Sequence, residues 1–213
     1  MKYKHIIWDW NGTLIDDAWL CVEIMNKILE KRSLDLITLD DYRKHFTFPV
    51  RDYYVKLGFD FSLEPFEESG LEFIDGFKER MYDADLYVDT INTLSKISKS
   101  GSTQSILSAQ HQSILRKTIT HYGIDDYFIQ IKGLNNHYAD SKIEIGQKGL
   151  LELDYNANQV VLIGDTEHDF EVAQAMGIDC ILLSHGHNSF DRLAKLDNII
   201  FDSLENFCNY ILE

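Results

Sequence analysis

The sequence predicts an α/β fold, a parallel β-sheet covered by helices on both faces, with an all-helical insertion near the N-terminus. Three observations carry this. From about residue 86 onward, apolar strands alternate with helical segments, the pattern of parallel sheets with crossover helices. Strands such as Gln159-Val-Val-Leu-Ile-Gly164 are continuously apolar, as burial on both faces requires. A first strand at Lys4–Asp9 is followed by a long stretch of helical periodicity. The expected division is a core of residues 1–15 and 86–213, with residues 16–85 as a separate helical cap.

The elements follow in order. Lys4–Asp9 runs into Asn11-Gly12, a turn signal. Asp16 or Asp17 is the expected cap of a helix reaching about Arg32, since Trp19, Leu20, Ile24 and Ile28 recur at helical spacing. Thr38-Leu-Asp-Asp41 reads as a capping box with Asp in the Glu position. Pro49 fits a first helical position and Gly58 the stop of the same helix. A longer helix is expected from Pro65 to about Asp85. Asp89 caps a helix ended by Gly101, before a strand at Thr103–Ser108 and a helix at Gln110–Tyr122, stopped by Gly123. Then come a strand at Phe128–Lys132, a helix at Lys142–Leu153, a strand at Gln159–Gly164 and a helix at Glu167–Met176, ended by Gly177. A strand at Ile178–Leu183, a short helix near Phe190–Lys195, a small strand near Ile199–Phe201 and a last helix at Leu204–Leu212 complete the chain.

Composition narrows the function. The 213 residues, 45% hydrophobic and 26% charged, supply an ordinary core without disulfides. A net charge of −15 opposes nucleic acid and anionic membranes as partners. It also repels an anionic substrate, so local cations have to overcome it. Cys21, Cys180 and Cys208 are odd in number, lack CxxC spacing and sit among apolar residues, which reads as free core thiols. The apolar run at the N-terminus is too short for a signal peptide or a membrane span, so a cytoplasmic protein is expected.

Ligands of parallel sheets bind beyond the C-terminal strand ends. The polar residues expected there are Asp9, Ser108 and Asp165, with Lys142 opening the helix after the third strand. A carboxylate can attack phosphorus and hold the phosphoryl group. A hydroxyl and a lysine can bind phosphate oxygens, and amides after Asp9 and Ser108, Ala109 among them, add donors. Further acids near the nucleophile need a cation between them, and Mg²⁺ suits an all-oxygen site with substrate phosphate.

Asp9-Trp-Asn-Gly-Thr-Leu14 resembles the first motif of the haloacid dehalogenase superfamily. Ser108, Lys142 and Gly164-Asp165-x-x-x-Asp169 are similar to its second, third and fourth motifs, in order across the whole chain. The resemblance is strongest to the phosphoglycolate-phosphatase-like branch. It implies a Rossmann-like core with an inserted helical cap, and a Mg²⁺-dependent phosphatase of a small phosphorylated metabolite working through an aspartyl phosphate on Asp9. By the same resemblance, Asp9 is nucleophile and metal ligand, and the Asn11 carbonyl is a second ligand. Ser108, Ala109 and Lys142 bind phosphate, Asp165 binds metal, and Asp169 is a ligand or supports one.

One residue departs from the pattern. Asn11 stands where the family's phosphatases carry an acid/base Asp, and an amide cannot donate and recover a proton. A weakly active or inactive phosphate-binding regulatory protein is therefore the alternative. A metal-free 2-haloacid dehalogenase is disfavoured by Asp165 and Asp169. Elsewhere, His168, His185 and His187 read as surface-loop residues, and Phe46–Tyr54 as cap packing. Gln110 and His111 are candidates to approach substrate, and Arg51 is the best cap candidate for an anionic substrate tail.

Overall fold

The short strand β1 (His5–Trp8) is buried along its whole length. Ile6 and Trp8 enter one apolar layer and Ile7 the other, as strand alternation dictates. A computed structural model describing residues 2–134 and 142–213 places β1 at the middle of the sheet. The other strands are β2 (Thr103–His111), β3 (Gln130–Leu134), β4 (Val160–Gly164), β5 (Asp179–Leu183) and β6 (Ile199–Phe201). All pair in parallel, in the order β3-β2-β1-β4-β5-β6. Ile7 lies opposite Ser105 of β2 and Leu162 of β4, so the ends of β1 and β4 are level. The order reverses direction at β1, which puts the switch point of the sheet beside Asp9.

The helices are α1 (Ala18–Lys31), α2 (Leu39–His45), α3 (Val50–Lys56), α4 (Phe66–Arg80), α5 (Thr90–Lys99), α6 (Gln112–Tyr122), α7 (Lys142–Leu151), α8 (Glu167–Met176), α9 (Phe190–Leu193) and α10 (Leu204–Leu212). Val172, Ala173 and Met176 of α8 join Ile7, Leu107, Val160 and Leu162 in the smaller apolar layer. The larger layer takes Ile6, Trp8, Val161 and Ile163 together with residues of α1, α5, α6 and α10. The chain leaves the sheet and returns to it side by side. Asp16 N donates to Asp85 O at 2.9 Å and Tyr87 N to Leu14 O at 3.1 Å. The helices α1 to α4 lie between these crossings.

Several boundaries differ from expectation, each for a local reason. The strand β2 does not stop at Ser108 but continues to His111, with a register irregularity against β3 between Leu107 and His111. Helix α6 therefore opens at Gln112. The Gln112 side chain is tied to β3, accepting from Gly133 N at 2.6 Å and donating to Ile131 O at 3.2 Å. A 3₁₀ turn at Asp125–Tyr127 delays β3 by two residues relative to the expected Phe128 start. Pro49 and Pro65 each precede their helices instead of occupying the first turn. Helix α4 ends at Arg80, short of Asp85. The capping box at Thr38 and Asp41 forms as expected, with both reciprocal bonds present. The three cysteines are free. Among the described residues, no helix is long and apolar enough to cross a membrane.

Candidate active site

The C-terminal ends of β1 and β4 bring three carboxylates together. Asp9 continues the pairing just past β1, its N–H donating to Ile163 O at 2.8 Å. Asp165 follows β4, and Asp169 lies in the first turn of α8. One oxygen of each lies within 4.8 Å of the others, and all three residues are buried. Lys142, at the start of α7 and equally buried, donates to Asp9 Oδ1 at 2.7 Å and to Asp169 Oδ1 at 2.6 Å. Asp169 Oδ2 accepts from Thr166 Oγ1 at 2.6 Å and from the amides of Asp165 and Thr166, closing a capping box at the start of α8. Asp165 accepts from Thr13 Oγ1 at 2.7 Å and from His187 N at 2.6 Å.

The charge balance is uneven: three carboxylates share one ammonium. Burial, and then the Asp169 and Asp165 charges, outweigh Lys142 and push the Asp9 carboxyl up to about 8. Burial and the Asp169 charge likewise push Asp165 up to about 6. Burial would lift Asp169 too, but Lys142 and Thr166 hold it below its ordinary value. Burial alone would lower Lys142; its two carboxylate partners raise it instead. The donor set is all oxygen and carries excess negative charge, which fits a hard divalent cation.

Beside this cluster lies a polar chain that the sequence did not reveal. Asp17, expected only as a helix cap, makes no side-chain bond to the start of α1. Its carboxylate instead accepts from Asn11 Nδ2 at 2.6 Å and from Gly12 N at 2.9 Å, and lies 3.2 Å from His187 Nε2. The other ring nitrogen of His187 is 2.8 Å from the Tyr42 hydroxyl of α2. Burial disfavours a charged imidazole, but the Asp17 carboxylate outweighs it and raises His187 to about 9. His187 is thus a buried part of the site, not a surface-loop residue. Gly186 allows this, because a Cβ there would strike Asp165 and the Gly12 carbonyl. Gly12 adopts φ +74°, and a Cβ on it would strike His187 and Asp165. The only sequence trace of this arrangement is Ser-His-Gly-His-Asn directly after an apolar strand.

Ser108 and Ala109 lie within β2, beside β1, and line the same cavity as Asp9 and Lys142. The Ser108 hydroxyl accepts from Gln110 N at 3.1 Å. Gln110 and His111 also reach the cavity wall. His168 is not a solvated loop residue: it sits in the first turn of α8 with its ring 4.6 Å from that of Phe48. Arg51 lines the cavity from α3 but is exposed, its guanidinium 5.0 Å from the Phe61 ring. The aromatic segment Phe46–Tyr54 does more than pack, since Phe46, Phe48, Tyr53 and Tyr54 all face the cavity, whose volume is about 470 Å³. Helix α2 is fastened over the site from above. Arg43 donates to His185 O at 2.6 Å and to Gly186 O at 2.8 Å, and Arg192 bonds the Phe46 carbonyl.

A parallel sheet with buried carboxylates at its switch point, an inward lysine and helices inserted after the first strand defines a class of hydrolase. Residues 6–183 match the haloacid dehalogenase-like hydrolase family, and the chain belongs to it. A phosphoglycolate phosphatase from Yersinia pestis is 28% identical over 108 residues, 48% of this chain and 44% of that protein. A 5'-nucleotidase from Pseudomonas aeruginosa is 24% identical over 201 residues, 91% of this chain and 88% of that one. The chain spans less than half the length of several curated relatives it matches. Among solved structures, the haloacid dehalogenase-like protein SP0104 from Streptococcus pneumoniae superposes with a TM-score of 0.85 at 18% identity, covering 99% of both chains. That likeness concerns the fold.

Proposed function

We propose that this protein is a Mg²⁺-dependent phosphatase of small phosphate monoesters, with residues 16–85 acting as a cap over the sheet edge. One observation carries the reading: three buried carboxylates share one ammonium, next to the Ser108 hydroxyl on the adjoining strand. Asp9, the Asn11 carbonyl and Asp165 would hold the ion, and Asp169 would fix Lys142 and the start of α8. The ion, when bound, neutralises the carboxylates and the substrate phosphate.

The chain's own residues account for the chemistry. Lys142 on Oδ1 fixes the rotation of the Asp9 carboxylate and screens it from Asp169. An Asp9 oxygen attacks phosphorus in line, forming an acyl phosphate as the ester P–O bond breaks and the leaving oxygen takes up a proton from solvent. Ser108, the amides that follow it and Lys142 receive the equatorial phosphate oxygens. Water then attacks phosphorus, releasing phosphate and restoring Asp9. Asn11 stays tied to Asp17 and exchanges no proton in either step.

Phosphate release from acetyl phosphate and nitrophenyl phosphate, measured with Mg²⁺ and with chelator, tests the reading. Activity should require the metal, and Asp9→Ala should lower it by at least about 10⁴-fold with an unchanged unfolding temperature. Undiminished turnover by Asp9→Ala removes the nucleophile assignment. Phosphate binding without turnover of any ester favours the regulatory binding protein, the reading Asn11 keeps open.

A further inference from the structure

We propose that the substrate's leaving group is aromatic, making this an aryl phosphate phosphatase and not one for phosphoglycolate or sugar phosphates. The inference rests on the phosphatase reading above and adds what the cavity and Asn11 say about the ester's other half.

The first observation is the wall of the cavity. Away from Asp9 and Lys142 it is built from Phe46, Phe48, Tyr53, Phe66, Phe73 and Phe77, contributed by α3, α4 and the segment between α2 and α3. Its volume of about 470 Å³ lies within the range of about 300–1,000 Å³ usual for small-ligand pockets. The hydroxyls of a sugar would need hydrogen-bonding partners here. Tyr53 Oη in this wall is fully buried, so it offers no accessible partner to a ligand. A face of packed rings suits an aromatic ring and leaves polyol hydroxyls that lie against it unpaired.

The second observation is charge. The charged side chains on the cap side of the cavity are Arg51, Asp52 and Glu67, all exposed. Two acids beside one cation repel the carboxylate of a phosphoglycolate, and Arg51 already lies over the Phe61 ring. A neutral ring meets no such barrier, and rings pack favourably edge to face on other rings.

The third observation concerns the leaving oxygen. Asn11, held by Asp17, presents an amide at the position where the family resemblance implies a proton donor to the leaving oxygen. An alkoxide must be protonated as it departs, being about as basic as hydroxide from water of pKa about 15.7. A phenolate, whose phenol has a pKa of about 10, leaves without that help. The site therefore accepts the shape of an aromatic ring and expels the one common class of alcohol that needs no acid.

The test is a kcat/KM panel with Mg²⁺ that separates shape from leaving-group quality. It comprises 2-naphthyl phosphate, phenyl phosphate, benzyl phosphate, acetyl phosphate, phosphoglycolate, adenosine 5'-monophosphate and a phosphotyrosine peptide. The second ring of the naphthyl ester should lower KM about ten-fold relative to phenyl phosphate. Benzyl phosphate, an aromatic alkyl ester, should bind like phenyl phosphate, inhibiting competitively, yet turn over about 10²-fold more slowly. Phosphoglycolate and the nucleotide should trail the naphthyl ester by about 10²-fold or more. Ile74→Asp, a half-buried position on the wall, should cut the naphthyl-to-acetyl ratio of kcat/KM about ten-fold, with acetyl phosphate turnover reporting an intact fold.

The inference is overturned if phosphoglycolate or the nucleotide matches the naphthyl ester, or if Ile74→Asp leaves the ratio unchanged. A phosphotyrosine peptide cleaved better than every free aryl ester overturns the small-molecule part. Metal-dependent turnover of acetyl phosphate in those cases keeps the phosphatase reading; its absence for every ester removes both.

Discussion

At the sheet edge, Asp9, Asp165, Asp169 and Lys142 have partners on nearly every oxygen and nitrogen, whereas across the cavity the inserted helices offer rings. The floor is polar, buried and bonded through side chains set by strand ends and helix starts. The ceiling is apolar and fastened to the core mainly through α2 and the Phe46 carbonyl. On the proposed function, the difference follows from what each region would stabilise. Charge developing on a phosphoryl group demands fixed donors in a water-poor setting. Recognition of a leaving group demands only shape and dry surface. Substitutions in the floor should therefore change chemistry on every ester, and substitutions in the ceiling should change which ester binds.

The largest effect expected is on stability without metal. Asp9, raised from 3.8 to about 8, and Asp165, raised to about 6, hold protons in the native state that the unfolded chain has released. At these two groups the native state binds more protons between the two sets of values, so their contribution to stability falls as pH rises from about 4 to about 8; His5, which burial holds down to about 4, works the other way below its ordinary 6.5. Urea unfolding of the metal-free protein across that window should show this loss. Asp9→Asn or saturating Mg²⁺ should flatten the slope, and a slope unaltered by either would mean the floor is not under charge strain. The ceiling, which contributes no comparable group, should leave the slope unchanged when mutated at Ile74.

Next in size is Asn11→Asp. The new carboxyl would face Asp17, the partner of Asn11 Nδ2 at 2.6 Å, and two like charges so close share one proton. That proton is available to a departing alkoxide. Turnover of benzyl phosphate should rise about 10²-fold, and that of phenyl phosphate much less. Peptide mass spectrometry should first confirm that Asn11 is intact, because Gly12 follows it and favours deamidation. Equal gains on both esters would show that the amide limits a step other than departure of the leaving group.

The smallest effect tests the junction of the two regions. Tyr42→Phe removes the hydroxyl 2.8 Å from His187 Nδ1 and keeps the ring that stacks on Phe46 at 4.9 Å. A loss of about 1 kcal/mol in unfolding free energy is expected. KM for 2-naphthyl phosphate should move less than two-fold, because the lost hydrogen bond is remote from the ester. A larger change in KM would show that floor and ceiling are coupled through this bond.

Local signals placed much of this in view. The helix start at Thr38–Asp41 was legible because both halves of the capping box lie three residues apart. The strand at Val160–Gly164 was legible because burial on both faces leaves an unbroken apolar run. Asp9, Ser108 and Asp165 could be nominated because strand ends in a parallel sheet point to one edge, Lys142 because it opens the helix after the third strand, and Asp169 through the resemblance of its motif. Asp17 and Tyr42 could not. Asp17 carries every mark of a helix cap, and only the turn at Gly12 redirects its carboxylate. Its contact with His187 spans 170 positions of sequence, beyond the reach of any periodicity.

The sequence by itself determined the α/β class, the helical insertion and the acids and lysine at the sheet edge, since periodicity, capping and strand-end position are properties of neighbouring residues. The tertiary structure alone decided that Lys142 is divided between Asp9 and Asp169, that Asp17 and His187 meet beside Asn11, and that rings of the inserted helices, packed on one another, also line a cavity. These are contacts between distant segments, fixed by how helices and loops settle on the sheet, and no local pattern encodes them.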